Sequence, residues 1–100
     1  IVVPKEEIDY LFDTPDEIYL HLCAIAKIVV KALDDVYQTK RTCVVVEGFE
    51  VPHAHIKLYP MVSEDEPLGA LLPNQTEASD EELTLAAARI QSTLEAQIEE

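Results

Sequence analysis

Two imidazoles stand two residues apart in the stretch Val51 to Pro60, which reads VPHAHIKLYP. His53 and His55 are the residues whose type and spacing ask for a chemical explanation. In an extended strand successive side chains point to opposite faces, so Val51, His53, His55 and Lys57 share one face while Pro52, Ala54, Ile56 and Leu58 share the other. A solvated outer face is the plain reading of that pattern, although Thr, Ser or Lys would fill such a face better than His. Metal binding is the other generic reading of His-x-His. A zinc ion takes three or four ligands, however, and Glu47, Glu50 and the remote His21 offer no recognisable ligand spacing, so no metal site and no cofactor is expected.

The net charge of -13 narrows the choice. An acidic surface repels a phosphate backbone, which makes polymeric nucleic acid a poor partner. A phosphate-bearing small ligand would need a local site, and His53, His55, Lys57 and nearby backbone N–H groups are the candidates for one. A hydrophobic share of 48% and a charged share of 27% over 100 residues are ordinary for one globular domain with a modest core. Cys23 and Cys43 lie in apolar runs without CxxC spacing and read as small buried hydrophobes in a reducing compartment. No membrane-length apolar run or signal peptide is visible, so the expected location is cytoplasmic.

The elements that must position the imidazoles follow from pattern. Ile1-Val2-Val3 reads as a short buried strand ended by Pro4. Ile8, Leu11 and Phe12 suit a short helix or turn on the core. Thr14 to Glu17, TPDE, predicts a helix start with Thr14 as N-cap, Pro15 at the first helical position and Glu17 closing a capping box. That helix should reach about Tyr37, with Ile18, Leu22, Ile25, Val29, Leu33 and Val36 on one stripe and His21 as a satisfied structural histidine. Leu20, Ile28 and Val30 fall off the stripe, which points to a second covering neighbour such as a partner subunit. Thr42 to Glu47 reads as a central strand, and Gly48 turns it into the histidine-bearing strand as a hairpin. Residues 61–78 read as an acidic irregular loop. A last helix over 79–100 starts at Ser79 with Glu82 completing a capping box, and Leu83, Ala87, Ile90, Leu94 and Ile98 stripe it. The fold class is therefore α+β, a small antiparallel sheet packed by one long helix, with a C-terminal helix outside.

The segment Glu47 to Pro60, EGFEVPHAHIKLYP, resembles the signature of the histidine triad (HIT) family of nucleotide hydrolases and transferases, three histidines alternating with apolar residues behind a glycine-containing turn and Val-Pro. VVPKEEIDYLFDTPDE also has the family's look. His53 and His55 match the first two triad positions, and Lys57 stands at the third. The resemblance implies a single HIT-like domain over residues 1–100 and a homodimer. It further implies that strands preceding Ile1 carry most of the nucleoside pocket, so that the domain is N-terminally incomplete.

By the same resemblance the ligand is a purine nucleotide or nucleoside phosphate, and the substrate a nucleoside phosphoramidate or dinucleoside polyphosphate. His55, at the middle position, is the implied nucleophile at the α-phosphate. His53 would orient it or hydrogen-bond the phosphate, while Lys57 and the backbone amides of the Gly48 turn would hold phosphoryl oxygens. Two departures stand out, Lys57 for the third histidine and Gly48-Phe49-Glu50-Val51 where many members carry Gly-Gln-Ser/Thr-Val. An alternative is therefore a nucleotide-binding or regulatory HIT-like protein with a degenerate, inactive site. A third is a dimerisation module built on the long apolar helix.

Overall fold

The computed structural model describes residues 1–46, 48–49, 51–63 and 78–99. It is an α+β arrangement: a 3₁₀ turn at Leu11–Asp13, helix α1 at Asp16–Tyr37, strands β1 at Arg41–Val45 and β2 at Lys57–Met61, and helix α2 at Asp80–Glu99. The strands pair antiparallel, Arg41 opposite Met61 and Val45 opposite Lys57. Both pack on α1, and α2 lies against α1 from the other side of the chain's order.

The apolar stripe of α1 faces inward as its spacing requires. Leu22 and Ala26 are buried with Val2, Leu11, Ala54 and Ile56, and Ile18, Ile25, Val29 and Leu58 pack against that cluster. Ala54 and Ile56 thus bring the histidine segment into the same core that holds the helix. Burying a side chain such as Leu22 contributes about 1.5–3 kcal/mol.

The start of α1 differs from the expected capping box. Thr14 is buried, and both its N–H and its hydroxyl donate to the Leu11 carbonyl, at 3.1 and 2.6 Å. The preceding 3₁₀ turn thus claims the hydroxyl that a cap would need. Pro15 becomes the N-cap without a side-chain cap bond, and its carbonyl accepts from Tyr19 N–H at 2.9 Å. Asp16 and Glu17 still place negative charge at the positive end of the helix. The second predicted box does form: Ser79 Oγ accepts from Glu82 N–H at 3.1 Å, and Glu82 Oε1 accepts from Ser79 N–H at 3.2 Å.

At its C-terminus α1 ends on Gln38 in the left-handed region, φ 51°, with the Gln38 side chain donating to the Asp35 carbonyl at 2.7 Å. Arg89 Nη2 of α2 donates to the Val36 carbonyl, and Gln97 Nε2 to that of Lys31, both at 3.3 Å. Those bonds set α2 antiparallel to α1. Ile90 and Leu94 are half-buried on this contact, whereas Leu83 and Ile98, at the ends of the predicted stripe, are exposed. Asp34 accepts from the hydroxyls of Thr39 and Thr42 and so ties the helix end to β1.

Several further expectations change, and one falls outside the described residues. The histidine-bearing strand is regular only over Lys57–Met61, so β1, which ends at Val45, and β2 are not joined by a tight hairpin turn. The strand expected at Ile1–Val3 is reduced to one antiparallel bridge between Val2 and Ile56, and Val44 in the strand expected to be central is exposed. Cys23 and His21 are exposed on α1, not packed; both thiols are free. The predicted acidic loop, 61–78, lies outside the described residues apart from Met61, Val62, Ser63 and Ala78. Among the described residues no helix is long and apolar enough to cross a membrane.

Candidate active site

Pro52 sets the local path of the histidine segment. His53 N–H donates to the Val51 carbonyl at 2.8 Å, closing a three-residue turn with proline in the middle. The ring fixes φ near about -65°, close to the roughly -75° such a turn needs. Ala54 N–H then donates to the Ile8 carbonyl at 2.6 Å, and Ile56 exchanges both backbone bonds with Val2 at 2.9 Å. The N-terminal segment therefore grips the histidine segment from Val2 to Ile8.

His53 tightens that grip with its side chain. A carbonyl oxygen can only accept, so the 3.0 Å contact between His53 Nε2 and Pro4 O is an N–H donation from the ring. The His53 ring thus meets main chain at Pro4. The His53 backbone carbonyl accepts from His55 Nδ1–H at 2.8 Å and so orients that ring.

His55 is 9% exposed, and its buried Nε2 has no hydrogen-bond partner among the described residues. A buried polar nitrogen left unpaired costs about 1–3 kcal/mol, and such groups in native structures call for an explanation. With Nδ1 protonated by its carbonyl bond, the neutral ring carries its lone pair on Nε2. The arrangement can do nucleophilic or general-base chemistry at that one atom.

A cavity of about 550 Å³ adjoins the ring. Asp9 and Tyr10, which lead into the 3₁₀ turn, and Leu11 and Phe12 within it form one part of its lining. Gly48 and Phe49 contribute another, with Ala54 and His55. Gly48 sits at φ +75°, in the region that favours glycine, and a methyl group there would stand 4.0 Å from His55 Cε1. The structure thus brings Gly48 and His55 together. Lys57 heads β2 opposite Val45 and is half-buried; neither it nor His53 lines the cavity. Among the described residues no group of three His, Cys, Asp or Glu side chains could hold a metal ion.

Tyr10 and Phe12, which line the cavity, were not singled out by the sequence. Their rings meet edge to face at 5.4 Å, and Phe12 meets Tyr19 at 6.0 Å. A hydrogen bond with the Cys23 thiol one turn along, helped by repulsion from the thiolate, raises the Tyr19 phenol above its ordinary pKa.

The sequence model of the HIT domain matches residues 1–62, more than half of the chain. A histidine triad protein from Marinobacter aquaeolei VT8 shares the fold, with a TM-score of 0.74 at 18% identity over 94% of this chain and 72% of the other. The chain belongs to the HIT domain family, and with that membership comes a nucleotide-related function.

Proposed function

We propose that this protein is a nucleotide hydrolase or nucleotidyltransferase that works through a covalent nucleotidyl-His55 intermediate. The observation that carries the proposal is the pairing of a fixed Nδ1–H with a buried Nε2 that has no partner among the described residues, on the same ring. Nε2 attacks the α-phosphorus of a nucleoside phosphoramidate or dinucleoside polyphosphate. The bond from phosphorus to the leaving group breaks, and its electron pair departs with that group. Water or another acceptor then attacks the same phosphorus, the P–N bond to His55 breaks, and the ring is restored. Splitting one displacement into two is what nucleophilic catalysis supplies.

During the first step the ring becomes positively charged, and the His53 carbonyl faces that charge through Nδ1–H. Lys57, two residues on, supplies the cation closest to His55 in sequence and is assigned to the phosphoryl oxygens. Backbone amides of the Gly48 segment share that task. Leu20, Ala24 and Ile28 form an exposed line on α1 and support assembly as a homodimer.

The test is release of nucleoside monophosphate from adenosine 5′-phosphoramidate and from a dinucleoside polyphosphate. Wild type should release it, His55→Ala should not, and the variant should keep its fold by circular dichroism. Turnover by His55→Ala at the wild-type rate would overturn the assignment. Nucleotide binding without release would leave the alternative, a binding or regulatory protein.

A further inference from the structure

The cavity beside His55 carries one charge among its described lining residues, and that charge is negative. Asp9 supplies it, and the backbone fixes where it stands. Ala54 N–H donates to the Ile8 carbonyl at 2.6 Å, so Asp9 and His55 each lie one residue beyond the same contact. Tyr10, Phe12 and Phe49 line the same space while remaining 52%, 59% and 91% exposed. The faces of such rings are electron-rich and attract cations. A carboxylate and three open aromatic rings therefore favour a positive group and oppose a negative one, in a chain of net charge -13. The buried Leu11 holds this part of the lining to the core. In an in-line displacement the departing group stands across phosphorus from the attacking atom. Once the phosphate is held at His55 and the Gly48 segment, the lining from Asp9 to Phe12 is left for that group.

We infer that Asp9 is a specificity-determining residue: it selects substrates whose leaving group is an amine bearing a second, positively charged ammonium, over those that release a polyphosphate. The inference rests on the reading of His55 given above and narrows its two substrate classes to phosphoramidates of such amines. As Nε2 forms its bond to phosphorus, the P–N bond to the amine breaks. The amine nitrogen keeps that electron pair and takes a proton from solvent water, while the non-reacting ammonium stays beside the Asp9 carboxylate. A dinucleoside polyphosphate would instead send a nucleoside polyphosphate, with several negative charges, past the same carboxylate. Asp9 acts on the departing group and not on the reacting atoms, so its loss changes which substrate is preferred.

The test compares adenosine 5′-phosphoramidate substituted on nitrogen with 2-aminoethyl, its uncharged n-propyl counterpart of the same length, and diadenosine tetraphosphate. Wild type should favour the aminoethyl compound over the propyl one about threefold to fivefold in kcat/KM, the scale of an exposed charge pair. That ratio should fall toward unity as salt is raised. Asp9→Asn should abolish the ratio and speed the tetraphosphate, whereas Asp9→Glu should keep the ratio. A ratio that survives Asp9→Asn, a ratio that salt leaves alone, or a wild type that prefers the tetraphosphate would overturn the inference. Calorimetric binding of the same compounds to His55→Ala, with and without Asp9→Asn, keeps it apart from the catalytic reading. The Asp9-dependent order of affinity should appear there even if wild type releases no monophosphate. Wild-type turnover without that order would leave the catalytic reading standing and overturn the inference.

Discussion

The Nδ1–H of His55 donates to the backbone carbonyl of His53 at 2.8 Å, and the His53 ring donates in turn to the carbonyl of Pro4 at 3.0 Å. The His55 ring is therefore oriented by main chain, and the side chain of His53 ties that main chain to Pro4. A three-part relay runs from the N-terminal segment through His53 to His55.

Removing the middle of that relay should separate alignment from binding. His53→Ala keeps the carbonyl that faces His55 but loses the Pro4 bond. We expect a stability loss of about 1 kcal/mol and a roughly 10- to 100-fold fall in kcat, since small misplacements of a reacting atom are costly. Affinity for ribose 5-phosphate should change little. Denaturant melts and steady-state kinetics on one preparation test this, and a tenfold rise in KM with kcat unchanged would speak for direct phosphate contact by the ring.

Gly48 is needed for its backbone and not for lack of room. At φ +75° a side chain is strained, yet a Cβ would lie at an ordinary 4.0 Å from His55 Cε1. Gly48→Ala should therefore cost roughly 1–2 kcal/mol without displacing the ring. A lowered Tm with an unchanged His55 NMR environment is the expected pair of results.

The two helix starts should respond differently to loss of a hydroxyl. Ser79→Ala removes an exposed cap and should cost about 1 kcal/mol. Thr14→Val removes a buried hydroxyl whose acceptor, the Leu11 carbonyl, still receives the Thr14 N–H. It should cost about 0.5–1.5 kcal/mol and act on the 3₁₀ turn that carries Tyr10 and Phe12. Urea denaturation measures both, and aromatic NMR shifts should move for Thr14→Val alone.

Tyr19 provides a titration with a defined sign. Its phenol is held above its ordinary value of 10.0, first by the hydrogen bond with Cys23 and then by repulsion from the thiolate. A raised folded value means that the stabilisation is complete below the unfolded pKa and is lost as pH rises through the folded one. Cys23→Ala should bring the Tyr19 ionisation down toward 10.0, read as phenolate absorbance against the other tyrosines.

Much of this was legible because periodicity reports on burial. The stripe on α1 faces the core, the Ser79 capping box forms, and the α+β class holds. The Thr14 box failed for a reason that helix rules alone do not contain: a preceding 3₁₀ turn competes for the same hydroxyl. Strand alternation failed at His53 to Ile56 because Ala54, His55 and Ile56 are all buried, gripped by Val2 to Ile8 through backbone bonds that leave no mark on side-chain pattern. The role of the His53 carbonyl was hidden for the same reason, whereas the place of His55 in the VPHAH motif was plain.

The most direct measurement is to catch the intermediate. Wild type and His55→Ala would be mixed with adenosine 5′-phosphoramidate for less than one turnover and quenched in alkali, where a histidine P–N bond survives better than in acid. Intact mass and peptide mapping would then be read on both proteins. The account predicts one added adenylyl group on the peptide containing His55 in wild type and none in His55→Ala. Monophosphate release by wild type with the adduct on another residue would contradict it.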